Sequence, residues 1–405
     1  GLNNMLPTAV SELTEVLCKL ILGLGAAFIT VRLTGSTVWG AAAAMAGITV
    51  GTLFAFLYTR IYAKLKGDGI TAEMLENSPE PQSGADTFKK MVLLALPIAL
   101  TSLTINIPPM IDAFTVKSGL EGLINGGTDL RGIYRSVFEN GDMPDLSAFP
   151  VLLYGIRGKA YTVFNLVPAF TSVIGVGAVP AIASAAARGN TAELKKNINT
   201  VLKTAALISL PAACGLIAIG GRITDFLYDT EASAVIGGEM LTLYGFAALF
   251  AGFLVPLGGI LQAVGRQNAV LLNTAAGTAV KLIVNIIAVS VPKINVMGAA
   301  LGTVLCFFVI FLLDIAVLIK AVGFAPDSAN VFLKPLASAA FCGLAARLTV
   351  MLGSSRGVTL LAVFAAALVY AALIVALKTV SESDFPDSDK GKRLAEFCRK
   401  HRIIR

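Results

Sequence analysis

Ten stretches of this chain each run for about 20 residues or more with almost no charge, which is the length needed to cross the hydrocarbon core of a bilayer. They fall at roughly 7–30, 38–61, 90–115, 152–184, 198–220, 233–257, 268–291, 295–320, 331–352 and 357–379. Backbone in lipid must satisfy its own hydrogen bonds, which leaves helices or a closed barrel. Barrel strands are short segments of alternating polarity. These runs are longer and uniformly apolar, so the predicted fold class is all-α, a polytopic membrane protein of about ten transmembrane helices. Composition agrees: hydrophobic types make up 56 % and charged types 14 %, against roughly 25 % charged in a soluble domain.

The same composition excludes several functions. Net charge is +7, but no polar basic domain gathers it, so nucleic acid is not an expected partner. The only histidine is His401, in the polar tail, and none of the five cysteines are spaced as CxxC. No metal or cofactor is expected. The sequence contains no HExxH, Walker A or GxSxG motif, so an enzyme is not expected.

The loops predict orientation. Arg60, Lys64, Lys66, Lys89 and Lys90 flank the 64–87 loop, and Arg188, Lys195 and Lys196 lie between the fourth and fifth runs. Lys390, Lys392, Arg393, Arg399, Lys400, Arg402 and Arg405 fill the tail. With ten spans all of these share one side, and positive-inside places both chain ends in the cytoplasm. The 116–151 loop, on the other side, offsets Lys117, Arg131 and Arg135 with five acids.

A weak internal repeat adds organisation. Lys19-Leu-Ile21 in the first run is echoed by Lys281-Leu-Ile283 in the seventh, and Val38-Trp-Gly40-Ala-Ala42 by Val296-Met-Gly298-Ala-Ala300. Such repeats mark transporters built from two like bundles. The predicted domains are 1–63, two helices closing an N-terminal lobe; 64–87, a cytoplasmic linker; 88–322, a six-helix C-terminal lobe; 323–380, two additional helices; and 381–405, a basic cytoplasmic tail. The repeat predicts four further helices ahead of Gly1, in a parent of fourteen spans.

Gly1-Leu-Asn-Asn-Met-Leu-Pro7-Thr8-Ala-Val-Ser11-Glu-Leu-Thr-Glu15 resembles the entry to the fifth helix of the stage V sporulation protein B family. Leu96-Pro97-Ile98 with Ile111-Asp112 looks like its seventh helix, and Leu153-Tyr154-Gly155 with Phe164-Asn165-Leu166-Val167-Pro168 like its eighth. That family belongs to the multidrug/oligosaccharidyl-lipid/polysaccharide (MATE-like) exporter superfamily. The resemblance implies two lobes facing a central cavity, alternating access, and a polyprenyl-pyrophosphate-linked saccharide as substrate, carried by a monomer in contact with membrane lipid. Lipid II flippases place an Arg and a Glu just ahead of the eighth-helix proline. Tyr161–Val167 has neither, and the cations lie at Arg157 and Lys159. A cation-coupled multidrug exporter is the alternative, against which the single Trp39 and the few mid-helix acids argue.

A charge at mid-bilayer is a functional candidate by default. Glu15 and Lys19 are spaced i,i+4 in one polar stripe; Asn273, Gly277, Lys281 and Asn285 form another. Either stripe can line a cavity that binds a lipid pyrophosphate, or glue one lobe together; for Glu15–Lys19, which pair locally, glue is the favoured reading. Lys281 has no acid on its own helix and is expected to face the inter-lobe cavity, close to Lys19. Arg157 and Lys159 either snorkel to the interface or contact phosphate at a cavity mouth. Asn165 precedes Pro168 in the family-like motif and joins the substrate-binding set. Asp112 follows Pro108-Pro109, where it caps an unwound turn or binds a coupling cation. Glu239 and Asp314 read as packing partners.

Overall fold

The computed structural model describes residues 6–66, 83–138, 143–228 and 230–379. Among these residues the structure is helical, with no strand. The chain divides into two compact units, Gly1–Thr87 and Phe88–Arg405. The predicted linker lies mostly, and the predicted tail entirely, outside the described residues.

The first unit is a helical hairpin. Helix α1 (Leu6–Cys18) passes through a π-helical turn at Lys19–Gly23 into α2 (Leu24–Thr34), and α3 (Thr37–Lys66) returns against both. Gly35 ends α2 with a φ of 66°, a left-handed conformation that glycine adopts without steric cost. A Cβ on Gly47 would come within 2.6 Å of Gly23 backbone, so close approach rests on the small residues that lipid-embedded helices use for contact.

Helix α4 (Gly84–Asn125), whose first four residues fall in the first unit, opens the second, and a short α5 (Leu130–Ile133) comes after it. The long helices α6 (Phe149–Ala187), α7 (Thr191–Leu227) and α8 (Glu231–Ala263) follow. The hairpin α9 (Gln267–Val289) and α10 (Met297–Val322) comes next, then α11 (Lys334–Val350) and α12 (Arg356–Ala376). Eight helices among the described residues are long and apolar enough to cross a membrane, or nine if a pair within 146–187 bent by 41° is one span. This is a multi-pass membrane protein. Helix α4 contains the third predicted run but continues ten residues beyond it. The reason is amphipathic: Val116, Leu120 and Leu123 recur at helical spacing and are buried in the core. The 116–151 loop thus shrinks to 126–148. There Asp129 accepts from Gly132 N at 2.9 Å, and Arg131 Nη2 donates to the Pro144 carbonyl at 2.9 Å. Tyr134 donates to Asn295 at the α9–α10 turn, and burial pushes its phenol well above the usual range.

Two defects in the backbone of α7 are repaired from outside. Pro211 has no N–H, so the Leu207 carbonyl lacks its intrahelical donor; Tyr370 Oη on α12 donates to it at 2.8 Å. Ile219 leaves helical geometry (φ −132°, ψ 24°), and Arg347 Nη1 on α11 donates to the adjoining Ala218 carbonyl at 3.3 Å. The bend in α6 is accommodated differently: a Cβ on Gly175 would lie 2.9 Å from the backbone of Pro256 in α8.

Candidate functional site

Three helices of the second unit meet at one carboxylate, and a fourth joins through a lysine bound to it. Helix α4 runs through Pro108-Pro109 without a break, so Asp112 caps no unwound turn; it projects into the bundle and is fully buried. Its Oδ2 accepts from Arg157 Nη2 of α6 and from Lys281 Nζ of α9 at 2.8 Å. Its Oδ1 accepts from Asn285 Nδ2 at 2.7 Å. Lys281 Nζ also donates to Thr303 Oγ1 of α10 at 2.7 Å, and the Thr303 hydroxyl in turn donates to the Ala299 carbonyl at 2.8 Å. Asn285 reaches Thr115 at 3.0 Å. The Arg157 guanidinium lies over the Tyr161 ring, 4.5 Å from its centroid, a cation–π placement that favours a desolvated cation.

Glycine makes the cluster possible. Gly302 faces Asn285, and a Cβ there would overlap the amide oxygen and come within 3.3 Å of the Lys281 carbonyl. One turn towards the other end of the hairpin, Gly298 approaches Val289 N at 2.7 Å by the same measure. Farther along the stripe, Asn273 Nδ2 donates to Asp314 Oδ1 at 2.8 Å. The whole Asn273–Gly277–Lys281–Asn285 face is therefore the seam of α9 with α10 and α4.

This placement corrects several sequence expectations. Lys281 was expected on a cavity wall; it is 0 % exposed, and its partner is an acid of the same unit. Asp112 was a candidate for a coupling cation; two cationic side chains and an amide already occupy its oxygens. Arg157 was expected at an interface or a cavity mouth; it is buried, with its guanidinium on Asp112. Lys159 lies apart from the cluster, donating to Ser233 Oγ at 2.9 Å with the Tyr228 ring 5.1 Å away. Asn165 sits on the exposed side of α6. In the first unit Glu15 and Lys19 pair at 2.5 Å while staying partly exposed, and Thr52 donates to Glu15 at 3.3 Å.

The hairpins also reset the repeat. Gly40 packs on Val31 as Gly298 packs on Val289, and one offset relates both pairs. That offset carries Lys19 to Gly277, one turn short of Lys281, so the two lysines are not equivalent. Thr303 and Tyr161 escaped the sequence reading. The usable signal was a lone acid and a lone base on two apolar helices, each of which needs a partner in lipid.

A MatE family model matches residues 157–287, a span that opens on Arg157 and encloses Lys281 and Asn285. Three curated proteins of Bacillus subtilis (strain 168) are similar. "Uncharacterized membrane protein YabM" is 26 % identical over 76 % of this chain and 52 % of its own length. "Lipid II flippase MurJ" is 23 % identical over 80 % and 56 %. "Stage V sporulation protein B" is 22 % identical over 95 % and 70 %. This chain thus spans about half the length of the first two. A solved structure, "Lipid II flippase MurJ, inward closed conformation", superposes with a TM-score of 0.62 at 16 % identity, covering 89 % of this chain and 66 % of that one. Residues 157–287 thus resemble the MatE family, and the chain shares the fold of that solved structure.

Proposed function

We propose that the protein is a flippase, a transporter and not an enzyme. It carries a lipid-linked oligosaccharide or cell-wall precursor across the bacterial cell membrane by alternating access between two helical lobes. The alignment over 80 % of the chain with a protein named a lipid II flippase carries this reading; the alignment over 95 % with a sporulation protein supports it. In this reading residues 1–63 close one lobe, 64–87 link it to the next, 88–322 form the second lobe, 323–380 are appended helices and 381–405 a cytoplasmic tail. Both chain ends are cytoplasmic and the transporter acts as a monomer.

The side chains divide between two tasks. Glu15, Lys19, Lys159 and Asn165 keep exposed or partly exposed positions and are the groups available to a pyrophosphate or sugar. Arg157, Asn273, Lys281 and Asn285 serve the interior of the second unit and act on transport through its packing. Reconstituted vesicles with a labelled polyprenyl-pyrophosphate-linked saccharide test the reading. Movement of the label between leaflets without ATP is the expected result. Transport of small cationic drugs with no lipid movement would replace it with the exporter.

A further inference from the structure

The Glu15–Lys19 pair of the first unit has hydrogen-bonding capacity that its neighbours leave unused. Both residues lie inside the apolar Val10–Thr34 span, with the Glu15 side chain 28 % and the Lys19 side chain 34 % exposed. Among the described residues both contacts of the carboxylate fall on one oxygen. Glu15 Oε1 accepts from Lys19 Nζ at 2.5 Å and from Thr52 Oγ1 at 3.3 Å. Among those residues Glu15 Oε2 has no donor, and two of the three ammonium donors have no acceptor. Half-exposed charges within a span face a water-filled cavity or a polar ligand and not lipid.

The pair is held in place by the hairpin. A Cβ on Gly51 of α3 would lie 2.9 Å from Lys19 N and Cγ, so the base of the lysine stem rests against bare α3 backbone. A π-helical turn begins at Lys19, a departure from α-helix that recurs at functional sites. One turn before Glu15, Ser11 Oγ donates to the Ala55 carbonyl at 3.2 Å and lies 3.2 Å from Thr59 Oγ1, which extends the polar edge with hydroxyls. Charge decides what such an edge can take. A pyrophosphate is anionic, and here the one cation already has a carboxylate 2.5 Å away, so the pair offers no net positive charge and its acid repels phosphate. A sugar hydroxyl is neutral and both donates and accepts. Neighbouring hydroxyls of one ring can serve both halves together, one donating to Glu15 Oε2 and the next accepting from Lys19 Nζ.

We infer that Glu15 and Lys19 form a saccharide subsite, which holds the sugar part of the lipid-linked substrate and not its pyrophosphate. This inference rests on the flippase reading. Binding to the full-length protein in detergent tests it with two labelled probes, undecaprenyl pyrophosphate bearing an N-acetylglucosamine disaccharide and undecaprenyl pyrophosphate alone. Wild type should bind the first more tightly by about tenfold or more, the scale of one hydrogen bond to a charged group. Glu15→Met with Lys19→Met removes the pair without changing net charge or stranding a partner, a replacement that folded proteins tolerate. This double variant should lose the preference and bind the bare lipid within about twofold of wild type. A wild type that binds both probes equally would overturn the subsite with no variant needed. A double variant that keeps the full preference, or that weakens both probes by the same factor, would overturn it too. In each of those cases movement of labelled lipid between leaflets of vesicles would leave the flippase reading standing. A wild type that binds neither probe and moves neither would sink the flippase reading and the subsite with it.

Discussion

Asp112 ties α4 to α6 and α9 through three side-chain donors. It is the acid that balances Arg157, and removing one partner of a buried pair costs about 3–5 kcal/mol because the other charge is stranded. Asp112→Asn should therefore lower stability by that order, read as a fall in the detergent melting temperature, although the side chain barely changes size. A melting temperature equal to wild type would mean that the network bears no load. Gly302→Ala probes the same place by volume: the added methyl meets the Asn285 amide, and overpacking of this kind costs about 1–3 kcal/mol. The same substitution at Gly25, with nothing near its would-be Cβ, should leave the melting temperature unchanged. The polar stripe holding Lys281 was legible in the sequence because it repeats every fourth residue. Its partner was not, since Asp112 lies 169 residues away and periodicity on one helix carries no information about the helix opposite.

Elements were legible where apolar length decided them and less so at their ends. The third run reads as finished at 115 because the apolar block stops there, yet α4 continues on an amphipathic pattern to Asn125. That extension makes a test. Leu120 is fully buried, so Leu120→Ala should cost about 2–5 kcal/mol. Glu121, its exposed neighbour, should tolerate alanine within about 0.5 kcal/mol. Equal melting temperatures for the two variants would return the segment to a loop. The repeat was legible as a pair of like hairpins but misleading at the level of single residues. Short Lys-Leu-Ile matches sit in helices rich in the same few residue types, and only the glycine contacts that fix each hairpin's register show the slip of one turn.

At the scale of the whole molecule, sequence sets which side each loop faces, because basic residues resist translocation. Thr191 and Ser147 are exposed at the helix starts that follow two successive turns. On a cysteine-free background, Thr191→Cys should react only with reagent supplied from the cytoplasm, and Ser147→Cys only with reagent from outside. Labelling of both from one side would invert or break the proposed topology. What sequence could not supply at this scale is how the last two helices are used. They read as an appendage, and only the placement of Tyr370 and Arg347 shows what they do for α7.

That arrangement has a consequence for biogenesis. A membrane chain is made in order, and α7 is complete long before α11 and α12 emerge. Until then the Leu207 carbonyl has neither an N–H from Pro211 nor the Tyr370 hydroxyl, in a solvent that offers it no donor. A chain that stops short of α12 therefore keeps an unmet carbonyl in the middle of α7, which the arrival of Tyr370 removes.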